Sequence, residues 1–211
     1  MSRIIRLTGS GIATATPDVV IARIGVEFRA ADVAGAFSGA GEAARAVVSA
    51  VREAGVADGD VATSNVGLQA VETGPWEDRR LEGYAANESL TVTIRTVGDA
   101  AAVLQAAASA AGDAARIQSV TFALSDGAAP AAAAREAAFA DARAQAEQYA
   151  ALSGDALGAV LSISDDPSAA GPRAEVHFAA KSVAAAPAGG PAMEAGERHV
   201  TARVTVEWEL V

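Results

Sequence analysis

"LTGSGIATATPD", residues 7–18, decides how the chain begins its fold. Two glycines flanking a serine can cradle a phosphate or can bend a strand. A phosphate loop needs a strand before it and a helix after it, so that turn N–H groups and the helix N-terminus converge on the anion. Gly9-Ser10-Gly11 is followed by Ile12-Ala13-Thr14-Ala15-Thr16, with no third glycine at the dinucleotide spacing and no Gly-Lys-Ser/Thr. The next segment, "DVVIARIGVEFRA" (18–30), sets Ala22, Ile24, Val26 and Phe28 against Arg23, Gly25, Glu27 and Arg29. That period of two is a half-buried strand, not a helix. "RIIRLT" (3–8) before the glycines also reads as strand. The expectation is therefore a long first strand carrying a glycine bulge, with Thr16-Pro17-Asp18 turning into a second strand.

Further along, "DVAGAFSGAGEAARAVVSAVREA" (32–54) has helical spacing, with Asp32 as N-cap and Val33, Phe37, Ala40, Ala44, Val47, Val48 and Val51 as the apolar stripe. Gly35, Gly39 and Gly41 each cost roughly 1 kcal/mol relative to Ala; they read first as tolerated surface positions, with close packing at Gly35 and Gly39, four apart, as the alternative. Strands follow at about 61–72 and in "YAANESLTVTIRTV" (84–97), separated by the turn-rich "TGPWEDRRLEG" (73–83). "GDAAAVLQAAASAAG" (98–112) is a short helix anchored by Val103 and Leu104, and "ARIQSVTFALSD" (115–126) a strand. A third helix starts near Asp126 and Pro130 and runs to about Leu152, with Phe139 and Tyr149 as its large groups. "GAVLSISD" (158–165) is a strand, and "HVTARVTVEWELV" (199–211) is the most regular one, with Val200, Ala202, Val204, Val206, Trp208 and Leu210 on one side. A terminal strand so regular needs partners inside a sheet.

The order ββαββαβαββ is an α+β pattern. It predicts a two-lobed sandwich of mostly antiparallel sheets with helices on one face. Residues 1–60 are expected to form the first lobe, completed by the C-terminal strand 197–211. Residues 61–165 form the second lobe, and 166–196, rich in Pro, Gly and Ala, read as a flexible arm carrying Phe178 and Met193.

Composition removes several chemistries. The chain has 211 residues, a net charge of −10, no cysteine and 4% aromatic residues. The negative charge opposes nucleic-acid binding. Absence of cysteine excludes disulfides and thiolate chemistry. Lys181 is the sole lysine and lies in the arm. His177 lies in the arm too and His199 at a strand start, neither beside another metal-ligand type at useful spacing. Ser10 has glycines beside it but not at nucleophile-elbow offsets. "DGD" (58–60) lacks the later ligands of a calcium loop, because position 62 is Ala and 69 is Gln, so it reads as a helix-to-strand turn. Glu77, Asp78 and Glu82, close to Arg79 and Arg80, are the one place for a carboxylate pair, though a charge run in a loop is usually solvated. No catalytic, cofactor-binding or metal-ligating residue is assigned, and no cofactor is expected. No segment reads as a membrane span. The N-terminus "MSRIIRLTGSG" enters a strand at once. The chain as given is thus expected to be cytoplasmic, with a periplasmic or exported location the alternative if a signal peptide has been removed.

Six segments in register resemble SIMPL-domain proteins, a family long filed as a domain of unknown function. They are "LTGSGIATATPDVVIARIGVEFRA" (7–30), "GVADGDVATSN" (55–65), "GYAANESLTVTIR" (83–95), "VTFALSD" (120–126), "AFADARAQAEQYA" (138–150) and "MEAGERHVTARVTVEWEL" (193–210). The resemblance implies a two-lobed α/β protein that self-associates, with ring- or channel-like assemblies among relatives. Bacterial members are commonly exported and linked to envelope or oxidative stress; the eukaryotic namesake is a kinase-associated signalling adaptor. It brings no catalytic residue. The family-like positions Gly9, Gly11, Pro17, Asp18, Asn65, Gly83, Tyr84 and Asn87 all have structural explanations in bulges, turns, caps or strand-edge hydrogen bonds.

The leading expectation is a non-enzymatic, self-assembling protein with a stress-protective or scaffolding role, its protein partner unknown. The alternatives are a small-ligand module using the cleft between the lobes, and a hydrolase using the acids at 77–82. Aromatics and arginines anchor contact surfaces, so the expected homo-oligomer interface is Trp76, Arg79, Arg80 and Tyr84. Trp76 is either such a contact or a lid over its own sheet.

Overall fold

The computed structural model describes residues 3–165 and 193–211. Lys181, His177, Phe178 and nearly all of the expected arm lie outside the described residues. The elements are β1 (Arg3–Ala15), β2 (Val19–Ala30), α1 (Val33–Glu53), β3 (Val61–Thr73), β4 (Arg80–Ile94), α2 (Ala100–Ala111), β5 (Ala115–Ala123), α3 (Ala128–Ser153), β6 (Leu157–Asp165) and β7 (Arg198–Leu210). The order is the expected ββαββαβαββ, and every strand pairing is antiparallel.

The chain divides into two compact units, but not at residue 60. One holds β1, α3, β6 and β7; the other holds β2 through β5 with α1 and α2. The boundary after β1 falls at Pro17-Asp18. Periodicity identifies strands but not their partners, so β2 and α1 were expected with β1, whereas they belong with β3, β4 and β5.

In the first unit the sheet order is β1-β7-β6. The terminal strand is central, as its regularity demanded, and Ala202, Val204, Val206 and Trp208 are buried. Helix α3 lies on this sheet and presents Ala134, Ala138, Ala142, Ala146 and Ala150, a stripe of small residues at steps of four. Phe139 adds an aromatic contact to Trp208, with centroids 6.3 Å apart. Tyr149, the other large group of this helix, is instead exposed.

The expected glycine bulge in β1 is absent. Strand β1 pairs with β7 in unbroken register from Arg3 to Ala15, and neither Gly9 nor Gly11 has a positive φ. The glycines are there because α3 comes so close. A Cβ on Gly9 would stand 2.1 Å from the carbonyl oxygen of Ala138, and one on Gly11 would stand 2.1 Å from that of Ala134. Between them, the Ser10 backbone N–H donates to Asp141 Oδ2 at 2.9 Å. A helix side chain thereby satisfies a donor on an edge strand, which otherwise invites a stray strand.

In the second unit the order is β3-β4-β2-β5, with α1 and α2 on one face. Val20, Ala22, Ile24 and Val26 of β2 and Leu90, Val92 and Ile94 of β4 pack under Val47, Val51, Val103 and Leu104. Asp32 caps α1 as expected, accepting from the Gly35 N–H at 2.8 Å. The buried stripe of α1 runs Ala36, Ala40, Ala44, Val47, Val51, while Val33 and Phe37 are exposed. Gly39 is not an idle surface glycine: the Phe28 ring rests on it, 2.3 Å from where a Cβ would be. Strand β4 starts earlier than expected, at Arg80, so much of the 73–83 excursion is hairpin ladder.

Candidate functional site

The β3–β4 hairpin closes through Gly74, at φ 103°, and a turn in which the Asp78 N–H donates to the Pro75 carbonyl. Trp76 stands at its tip, 81% exposed, so the lid reading is excluded. The Arg79 guanidinium lies over the indole, 4.4 Å from the ring centroid. Arg79 also reaches Glu72 at 3.4 Å, and Arg80 pairs with Asp78 at 2.9 Å. These exposed contacts are individually weak. Tyr84 does not join them. It packs on the small cluster of Ala36, Ala40 and Ala86, opposite Ala30 in the ladder. Strand β3 is a 13-residue edge, and Val66, Leu68 and Leu81 along this ribbon are exposed.

The acids of the same hairpin do not make a pocket. Glu77 and Glu82 are exposed and Asp78 is bound to Arg80. A carboxylate that works as a general acid needs a desolvated setting or a like-charged neighbour.

A second surface lies on the helix-free face of the four-stranded sheet. Two bulges face each other there. On β5, Gln118 is skipped between the pairs Arg23↔Ser119 and Ile24↔Ile117; on β3, Ser64 is skipped between Thr63↔Leu90 and Asn65↔Ser89. The freed Gln118 side chain crosses Gly25, and its Nε2 donates to Ser89 Oγ at 2.8 Å. Ser64 Oγ donates to the Ser89 carbonyl at 3.1 Å, and Asn65 Nδ2 to Asn87 Oδ1 at 3.1 Å. Asn87 in turn lies across Gly67, where a Cβ would stand 2.9 Å from Oδ1. The result is a shallow depression of about 370 Å³ bounded by Arg23, Ser64, Asn65, Asn87, Ser89 and Gln118. Sequence reading singled out Asn65 and Asn87 as structural and missed the other four. They come from four strands, and only the bulges bring them together.

The remaining candidates have structural roles. Asp60 is held by Arg95 in a bidentate pair at 2.6 and 2.7 Å, and Asp58 pairs with Arg52. The "DGD" stretch is the expected turn entering β3. The bond from Arg95 holds the Asp60 carboxyl below its ordinary range. His199 Nδ1 lies 3.4 Å from Thr14 Oγ1 across the β1–β7 ladder. Among the described residues no group of three His, Asp or Glu side chains is arranged to hold a metal ion. No helix among them is long and apolar enough to cross a membrane.

Two antiparallel sheets, one covered by α3 and the other by α1 and α2, with an aromatic-tipped hairpin on an exposed edge, define an α+β protein. The chain belongs to the SIMPL family, described as a protein of unknown function (DUF541), whose model matches residues 5–208. It is similar to the 26 kDa periplasmic immunogenic proteins of Brucella melitensis biotype 1 and Brucella abortus strain S19. Each is 30% identical over 223 aligned residues, covering 98% of this chain and 84% of the relative.

Proposed function

We propose that the chain is a non-enzymatic, self-assembling SIMPL protein of the bacterial envelope, with a scaffolding role in the stress response that the family resemblance implies. The observation that carries the assembly reading is the β3–β4 hairpin. An indole 81% exposed at the end of a long edge strand is a surface that soluble monomers avoid. Trp and Arg together are the usual anchors of protein contacts, and Trp76, Arg79 and Arg80 are gathered at this tip. The occupant is a second copy of this chain, docking against the tip and the Val66–Leu68 edge. The periplasmic names of both Brucella relatives favour an exported location over the cytoplasmic one.

Light scattering after gel filtration tests the reading. Wild type at micromolar concentration is expected to run as an oligomer, and Trp76→Ala and Leu68→Lys are expected to shift it toward monomer. A monomeric wild type refutes self-assembly. An oligomer unchanged in both variants refutes this interface.

A further inference from the structure

We propose that the helix-free face of the β3-β4-β2-β5 sheet is a binding site for a small, hydroxyl-rich monocarboxylate of the sugar-acid class. The proposal rests on what two bulges and two glycines achieve together. Bulges re-aim side chains and recur beside functional sites. Here one frees Gln118 and the other Ser64, and both turn toward Ser89. Gly25 and Gly67 clear the floor so that the Gln118 and Asn87 carboxamides lie flat across the sheet. Ser89, 4% exposed, is the buried polar residue at the centre.

The hydrogen bonds within the cluster leave a definite set of groups for a ligand. With Asn65 Nδ2 donating to Asn87 Oδ1, the Asn65 carbonyl oxygen and the Asn87 amide remain; with Gln118 Nε2 donating to Ser89, the Gln118 carbonyl oxygen remains. With the second N–H of Asn65 and of Gln118 and both N–H bonds of Asn87, those are two acceptors and four donors, a set that neutral hydroxyl groups, which donate and accept, can satisfy. Arg23 stands on the rim, exposed, with neither a carboxylate nor a hydrogen-bond partner among the described residues. Its neighbours on β2 differ: Glu27 is engaged by Arg29 and Arg116. A free guanidinium is a fork for one carboxylate. A net charge of −10 disfavours a polyanion, so one negative group is the match. The depression has room for a single sugar ring and no apolar wall, so the ligand is polar on every side.

The experiment is a titration of isotopically labelled full-length protein with D-glucuronate, D-glucose and acetate, followed by NMR of the Asn65, Asn87 and Gln118 side-chain amides. Glucuronate is expected to give saturable shifts of these signals, with glucose and acetate each at least about ten-fold weaker, the value of one charge-assisted hydrogen bond. Arg23→Ala, an exposed and unpaired position that leaves the fold intact, is expected to weaken glucuronate binding about ten-fold. Gly25→Ala, which pushes Gln118 off Ser89, is a second variant expected to weaken it. Absence of saturable shifts, equal response to glucose or acetate, or undiminished binding by Arg23→Ala each overturns the proposal.

Discussion

Replacing Gly11 with alanine tests the account of how β1 and α3 fit together. The new Cβ would stand 2.1 Å from the Ala134 carbonyl oxygen and 2.4 Å from the Ala138 nitrogen, both backbone atoms of a helix interior. Neither can rotate away, so strand and helix must separate by about 1 Å to reach ordinary contact. Overpacking of this kind costs about 1–3 kcal/mol. A gap of that size also forfeits about a quarter to a half of the attraction of each facing atom pair, here along the Ala134, Ala138 and Ala142 stripe. Against this stands about 0.4–1 kcal/mol gained by stiffening the unfolded chain. The net expectation is a loss of about 2–3 kcal/mol, read as a Tm lowered by about 5–10 °C for a chain of this size. Gly59→Ala, where nothing lies within 4 Å of the new Cβ, is the control and should be near neutral. Gly9→Ala should behave like Gly11→Ala. Adding Ala142→Gly should not rescue Gly9→Ala, because the closest clashes are with backbone rather than with the Ala142 methyl. Calorimetry or circular dichroism melts decide it. A wild-type Tm for Gly11→Ala, or full rescue by Ala142→Gly, would refute the close-approach argument.

Three further outcomes are expected. Gly39→Ala should change stability by less than about 1 kcal/mol: the obstacle is the half-exposed Phe28 ring, which can swing aside, and helix propensity improves by about 0.8–1 kcal/mol; a loss as large as that of Gly11→Ala would show the ring to be locked. Trp208→Ala should cost about 3–5 kcal/mol in thermal or denaturant unfolding, since the indole is buried against Phe139 in an otherwise alanine- and valine-rich core; a loss below about 1 kcal/mol would mean that α3 collapses onto the gap. Acid should destabilise the protein through Asp60, Asp141 and Glu207, held below their ordinary range by Arg95, by the Ser10 N–H and Gln145, and by Ser162 and Arg6 respectively. With folded values below unfolded ones, their contribution is complete above about pH 5 and is lost as pH falls below about 4. Asp141→Asn should therefore show a shallower fall in Tm between pH 5 and 3, and an unchanged slope would remove that carboxylate from the account.

Local patterning by itself determined the element order, because a period of two in β2, β4 and β7 and of three to four in α1 reports which side of each segment meets a core. It also determined that β7 is internal, since a strand alternating from Val200 to Leu210 has no use on an edge, and it placed the cap of α1 at Asp32. Which sheet each strand joins was decided only by tertiary structure. The alternation of β2 is satisfied equally by β1 or by β4 and β5, and the choice depends on contacts far apart in the chain. The meaning of Gly9 and Gly11 was hidden for the same reason: a glycine required by an approaching helix looks in sequence like one required by a bulge. The hairpin tip was legible at Trp76, Arg79 and Arg80, whose turn chemistry is local, but not at Tyr84, which the Ala36–Ala40 face of α1 draws inward. The polar face was the least legible. Its six residues lie on four strands, and two single-residue slips in register turn Gln118 and Ser64 toward Ser89. A slip of one residue reverses which face a side chain occupies, and no property of either residue alone records it.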